Sequence, residues 1–235
     1  MAYKREDGRK NTELRPMSAQ VGVIPNADGS ARFQIGHTIA IAAVYGPREL
    51  HPQFLQDPMK GVLRCNYNMM AFSGSGDRVR PGPSRRSKEI SLIMEKSLLP
   101  VLDLSKYAGS VVDVFVELLQ TDAGTRCAAI TAASMALADA GIPMKDLVTA
   151  VACGRVEDQL IVDVDYLEDS HEGGVDLPMA MSMNSDEITL LQMDGVLDSK
   201  SLKKLLEMGK EACLTIKKVQ LDALKKKYGT GVVEA

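Results

Sequence analysis

Short runs of alternating apolar and polar residues dominate the first third of the chain, and they predict strands. VGVIP (21–25), ARFQIG (31–36) and HTIAIAAVYGP (37–47) are β-branched stretches broken by Gly, Pro, Asn and Asp. Asn26-Ala27-Asp28-Gly29 predicts a hairpin turn. Residues 47–60 hold three prolines and read as a loop, and 61–72 resume the alternation. The period then changes. Ile90, Ile93, Met94 and Leu98 recur at helical spacing, with Ser87 as the expected cap, Glu89 in the first turn and Pro100 as the stop. SVVDVFVELLQ (110–120) predicts a strand. The Ala-rich run from Thr125 to Ala140 predicts a close-packed buried helix, stopped by Gly141 and Pro143. Four more short strands follow, at 147–156, 159–167, 177–184 and 187–195. A long amphipathic helix then runs from Ser199 or Lys200 to Lys227. The order is α+β rather than a regular βαβ alternation. It predicts one compact unit of two similar halves, with a polar N-terminal extension at 1–19.

The chain has 235 residues and a net charge of −3, which excludes a uniformly basic nucleic-acid coat but not a local basic groove. Trp is absent and aromatics make up 4% of residues, so base stacking on an aromatic platform is a poor expectation. Cys65, Cys127, Cys153 and Cys213 are scattered, with no Cys-x-x-Cys pair. That pattern argues against a zinc ribbon or a disulfide framework and for buried thiols in a reducing compartment. Only three histidines are present, which disfavours a His-built metal site. No apolar run is long enough for a membrane span and MAYKREDGRK lacks a signal-peptide apolar region, so a cytoplasmic protein with no membrane partner is expected.

Three segments carry candidate chemistry. Asp122-Ala123-Gly124-Thr125-Arg126 falls between a strand and a helix. Free backbone N–H groups there make an anion site, which a hydroxyl and a guanidinium strengthen. The plain alternative is helix capping with a surface Arg, although Arg is disfavoured at a helix N-terminus unless an anion sits there. Arg78, Arg80, Arg85, Arg86 and Lys88 form a cationic run that suits phosphates, or else a solvated face. YLEDSHEGGVDLPMAM, with the residues just before it, contributes Asp163, Asp165, Glu168, Asp169, Glu172 and Asp176. Carboxylates converging at a turn between strands suit Mg²⁺; the alternative is an acidic hairpin without a metal. A carboxylate metal site beside two anion sites fits phosphoryl transfer.

These residues resemble the RNase PH superfamily of phosphate-dependent 3′-to-5′ exoribonucleases, over nearly the whole chain. The resemblance rests on Asp7-Gly8-Arg9 with Arg15-Pro16, on PSRRSKEISLIMEKSL, on LLQTDAGTRCAAITAASMALADAGIP and on DVDYLEDSHEGGVDLPMAM, in that order. Arg85-Arg86 before Ser-Lys-Glu-Ile, and MDGVLDSKSL before the last helix, are similar to catalytic subunits of the archaeal exosome ring.

The resemblance implies an RNase PH fold of two βαβα-type halves in a single domain over 1–235. It also implies a hexameric ring, a trimer of dimers, shared with a noncatalytic RNase PH-type paralogue and RNA-binding cap subunits, with single-stranded RNA threading the pore. Inorganic phosphate, the co-substrate, would sit on Gly124, Thr125 and Arg126, and RNA phosphates on Arg85 and Arg86. Asp169 and Asp176 would bind Mg²⁺ or protonate the leaving 3′ oxygen. Arg48 and His51 would line the pore. The span from Asp169 to Asp176 is one residue longer than the family pattern, through Gly173-Gly174, which leaves Glu172 as a competitor for Asp169. Two other functions share the resemblance: a homohexameric enzyme trimming transfer-RNA ends, and a ring subunit that threads RNA without cleaving it.

Overall fold

The computed structural model describes residues 3–75 and 78–229, so residues 76 and 77 of the Gly- and Arg-rich loop lie outside the described residues. The strands β1 (Met17–Val21), β2 (Gly29–Ile35), β3 (Thr38–Glu49), β4 (Val62–Met69) and β5 (Ser110–Gln120) form one sheet in the order β1-β2-β3-β5-β4. Neighbours in it are antiparallel except β4 and β5, which run parallel because helix α1 (Arg85–Leu98) carries the chain across between them. A second, antiparallel sheet joins β6 (Val148–Val156), β7 (Gln159–Val162), β8 (Val175–Ser182) and β9 (Glu187–Leu191) in the order β7-β6-β8-β9. Helix α2 (Thr125–Asp139) lies between the sheets, and helix α4 (Ser199–Tyr228) packs on β6, β7 and β1.

Every residue of α2 from Cys127 to Leu137 is buried. A helix apolar all round must be covered all round, and α2 is covered by β2 and β3 on one side and β6 on the other. Its alanines keep those backbones close. Its two internal hydroxyls are used: Ser134 Oγ accepts from the Val148 amide (2.8 Å) and Thr131 Oγ1 from the Ala150 amide (3.3 Å), docking the start of β6. Gln220 of α4 donates to the Thr131 and Val148 carbonyls, so three elements share one buried polar node.

The structure departs from the sequence expectations at four places, each for a local reason. The first strand lies at 17–21, not 21–25, because the register Met17↔Ile35 to Val21↔Ala31 places the whole 22–28 segment in the connection. Strand β3 runs on to Glu49, into the expected loop, because Arg48 and Glu49 pair with Val111 and Ser110 while a register shift steps over Pro47. Ser84, not Ser87, caps α1. Ser84 Oγ accepts from the Ser87 amide (3.0 Å) and Ser87 Oγ from the Ser84 amide (2.7 Å), a reciprocal capping box with Ser in the usual Glu position. The strand expected over 159–167 ends at Val162, and the acidic hairpin is in fact strand, helix, strand. Asp165 Oδ1 accepts from the Leu167 and Glu168 amides (3.0 Å each) and starts a short helix, α3 (Tyr166–Asp169).

The N-terminal segment is fastened rather than free. Arg5 is 2% exposed; its Nε and Nη2 bond the two Glu168 carboxylate oxygens at 2.7 and 2.8 Å, and Nη1 and Nη2 reach the Val162 and Asp163 carbonyls. Removing one member of such a buried pair strands the other charge. Glu168→Ala should therefore cost about 3–5 kcal/mol of unfolding free energy, read by denaturant unfolding. A cost under about 1 kcal/mol, the worth of an exposed pair, would show that the Arg5 guanidinium finds water instead.

Candidate active site

The turn between β5 and α2 is sharp and externally braced. After β5, Ala123 and Gly124 both take left-handed backbone angles (φ of 51° and 60°), which turn the chain sharply into α2. Thr38 holds the turn by accepting from the Asp122 amide and donating to the Ala123 carbonyl, each at 2.9 Å. Gly124 is the N-cap of α2 and supplies no capping side chain, and the first turn holds no acid. The leading amides of a buried helix therefore open toward a ligand position. Arg126 reaches past them and donates from Nη1 to Gln192 Oε1 at 2.6 Å.

The six carboxylates divide sharply. Asp163, itself left-handed at φ 57°, is buried under Arg15, accepting from its amide (2.7 Å), Nε (3.0 Å) and Nη2 (2.7 Å), and from Arg9 Nη1 (3.2 Å). Glu168 is taken by Arg5 and Asp165 by the α3 cap. Glu172 is exposed and lines no part of the cavity at α2. Asp169, the last residue of α3, and Asp176, the second of β8, remain. Both face a cavity of about 370 Å³ shared with Gly124, Thr125, Arg126 and Arg86. The extra residue between them is absorbed in a turn where the Gly174 amide bonds the His171 carbonyl (2.9 Å) and Gly173 takes φ 74°.

Burial, then the charge of Asp169, pushes the Asp176 carboxyl up to about 6; Arg126 pulls it back and Asp194 pushes the same way as Asp169. Burial also raises Asp169, against the pull of Arg86 and Arg126. Sequence reasoning did not find Asp194 or Gln192. Asp194 lies directly across from Asp176, the two exchanging backbone hydrogen bonds at 3.1 and 2.9 Å. Its only sequence signal is an Asp-Gly turn dipeptide. Among the described residues, no group of three or more His, Cys, Asp or Glu side chains is gathered to hold a metal, so an all-protein cage is absent there.

Arg15 stitches the two walls together. Besides Asp163, its Nη1 donates to the Asp122 carbonyl (2.5 Å) and to Asp122 Oδ2 (3.2 Å), while Asp122 Oδ1 accepts from the Tyr166 amide at the start of α3 (3.1 Å). Burial opposes its charge, but the hydrogen bonds and charge of Asp163 outweigh that and raise its pKa. Arg86 lines this cavity and a neighbouring one of about 410 Å³, which Tyr67, Arg80, Thr121 and Thr125 also line. The remaining sequence candidates lie elsewhere. Arg85 is exposed and lines neither cavity. Arg48 is exposed beside Asp28 (3.6 Å) and over the Tyr45 ring, and exposed His51 stands beside Glu49 (3.6 Å).

The uncapped start of α2, Arg86, Arg126 and the two carboxylates thus share one cavity. The chain belongs to the 3′ exoribonuclease (RNase PH) family: domain 1 of the family matches residues 13–143 and domain 2 matches 146–212. It is 50% identical to the exosome complex component Rrp41 of Methanopyrus kandleri, over 96% of this chain and 93% of that one. It is 46% identical to the Rrp41 of Nitrosopumilus maritimus, over 96% and 91%. The crystal structure of rice Rrp46 superposes with a TM-score of 0.81 at 26% identity, covering 92% of this chain and 98% of that one.

The raised Asp176 carboxyl has a consequence for stability. The folded chain holds that proton more tightly than the unfolded chain, so stability contributed by the protonated form is lost as pH rises from about 4 to about 6. Asp176→Asn removes the penalty. With divalent ions chelated, the variant should be about 1–3 kcal/mol more stable than the parent at pH 8, with no gain at pH 4. Denaturant unfolding at the two pH values checks this, and equal gains at both would show that the carboxylate charge is not the cause.

Proposed function

We propose that this chain is the phosphorolytic subunit of an archaeal-type exosome ring, shortening single-stranded RNA from its 3′ end with inorganic phosphate and releasing nucleoside diphosphates. One observation carries the reading: the open, uncapped start of α2 with Thr125 and Arg126 shares a cavity with Arg86 and the carboxylates of Asp169 and Asp176. The names of its relatives support the exosome setting. A noncatalytic RNase PH-type paralogue alternating with it in a hexameric ring, and RNA-binding cap subunits, belong to the same proposal, as does a cytoplasmic location. No described helix is long and apolar enough to cross a membrane.

Gly124, Thr125 and Arg126 bind inorganic phosphate, and Arg86 takes the terminal RNA phosphate. Arg48, His51 and Arg85 contact the incoming strand outside the cavity. Binding both phosphates side by side replaces their mutual repulsion with fixed donors and aligns one for attack. A phosphate oxygen attacks the phosphorus of the last phosphodiester. A new P–O bond forms, the P–O3′ bond breaks, and the terminal nucleotide leaves as a 5′-diphosphate. The 3′ oxygen of the shortened RNA gains a proton. Asp176, the carboxyl held near 6, is its source. The reverse reaction, adding nucleotides from diphosphates, uses the same groups.

The residues fit Mg²⁺. Two carboxylates raised by burial, Asp176 also by the charge of Asp169, offer hard oxygen donors whose negative charge Arg86 and Arg126 only partly offset. Mg²⁺ commonly takes only one or two carboxylates and completes its shell with water and substrate phosphates. Asp169 would hold it, joined by Asp176 once its proton has gone to the 3′ oxygen, with Asp194 near enough to add charge. When bound, the ion neutralises charge developing on the transferred phosphoryl group.

The test follows 5′-labelled single-stranded RNA with Mg²⁺, with and without inorganic phosphate, for the chain alone and for the chain mixed with its RNase PH-type partner. Nucleoside diphosphates appearing only with phosphate support the reading; decay to monophosphates irrespective of phosphate overturns it. Asp176→Ala should lower the phosphate-dependent rate at least about 100-fold while the ring assembles at its normal mass.

A further inference from the structure

Tyr67 sits in the middle of β4, paired through the sheet to Val116 of β5, and its amide donates to Ser91 Oγ of α1 at 2.9 Å. Both flanks of its backbone are thus fixed. The residue is 3% exposed, yet among the described residues its hydroxyl has no hydrogen-bond partner. It stands beside the Thr125 hydroxyl and the Arg86 guanidinium, close enough for each to act on its proton but outside hydrogen-bonding geometry with either, and all three residues line one cavity. Burial raises the phenol's pKa, against the pull of Thr125 and the charges of Arg86 and Arg126, so the group stays a neutral donor at working pH. A buried unsatisfied hydroxyl costs stability, and a phenylalanine would fill the same space without that cost. Its retention therefore calls for a use in another state of the site.

We propose that Tyr67 is a positioning residue for the anion cradle, its hydroxyl joining Arg86 to Thr125 when phosphate is bound. The donors and acceptors balance in only one direction. An Arg86 N–H donates to Tyr67 Oη, the Tyr67 O–H donates to Thr125 Oγ1, and the Thr125 O–H is then left to donate to a phosphate oxygen. Without the anion, Thr125 has no reason to present its lone pair to Tyr67. With it, the relay turns the Thr125 proton outward and orients the guanidinium from behind. Tyr67 never touches the substrate. This deepens the phosphorolytic reading and rests on it.

The experiment compares the parent, Tyr67→Phe, Thr125→Ala and the double variant, each assembled with its ring partner. Tyr67→Phe should raise the KM for inorganic phosphate roughly tenfold, the worth of one hydrogen bond to a charged or charge-coupled group, and raise the KM for RNA by less, through the looser Arg86 guanidinium. It should melt no lower than the parent. In the Thr125→Ala background the same change should have no further effect on phosphate, because the relay is already broken. A second readout needs no turnover: the rise in melting temperature on adding inorganic phosphate should shrink in Tyr67→Phe. An unchanged phosphate KM in Tyr67→Phe overturns the inference, and so does a loss of equal size in both backgrounds. A parent that degrades RNA without phosphate overturns the functional reading instead.

Discussion

The structure depends on burying a helix on every side. Helix α2 carries alanines where a surface helix would carry charges, so it is stable only with a sheet against each flank. The two sheets belong to different halves of the chain, and neither could cover α2 alone. That one requirement brings the halves together and points the N-terminus of α2 into the seam between them. An uncapped helix end buried in such a seam has amides to satisfy. The open helix start at Gly124, Thr125 and Arg126 is therefore a by-product of the packing.

Charge completes what packing begins. Three arginines of the N-terminal segment are spent on carboxylates of the acidic stretch: Arg5 on Glu168, Arg9 and Arg15 on Asp163. Each pair is nearly water-free, where an unpartnered charge would be costly. The pairing leaves Asp169 and Asp176 without arginine bonds, near Arg86 and Arg126 but repelling each other. Acids that are satisfied hold the fold; those left unsatisfied are available for chemistry. Arg15 adds a further link, because through Asp122 it ties the turn before α2 in one half to α3 of the other.

Much of this was legible in the chain. Strand β5, helix α2 and the long last helix announce themselves by period and composition, and the turn at Gly124 by its chemistry. The errors cluster where long-range pairing overrides local signals. Proline at 47 reads as a loop, but β3 continues past it because β5 offers partners beyond. The segment after Val162 is apolar enough for a strand, yet Asp165 and Glu168 cap a helix there. Glu172 and Asp169 are indistinguishable as text. Only the turn at Gly173-Gly174 directs one to the cavity and leaves the other in solvent.

The sequence by itself determined most of the element types, the α+β class, the sharp turn at Gly124 and Asp176 as a candidate acid, because each is set by residues close together in the chain. Tertiary structure alone decided which acids lack arginine bonds, that Asp194 and Gln192 join the site, and that the Tyr67 hydroxyl lies buried beside Thr125 with no partner among the described residues. The reason is physical. Hydrogen bonds and ion pairs between residues more than a hundred positions apart depend on the approach of two sheets to one helix, and no local pattern encodes that distance.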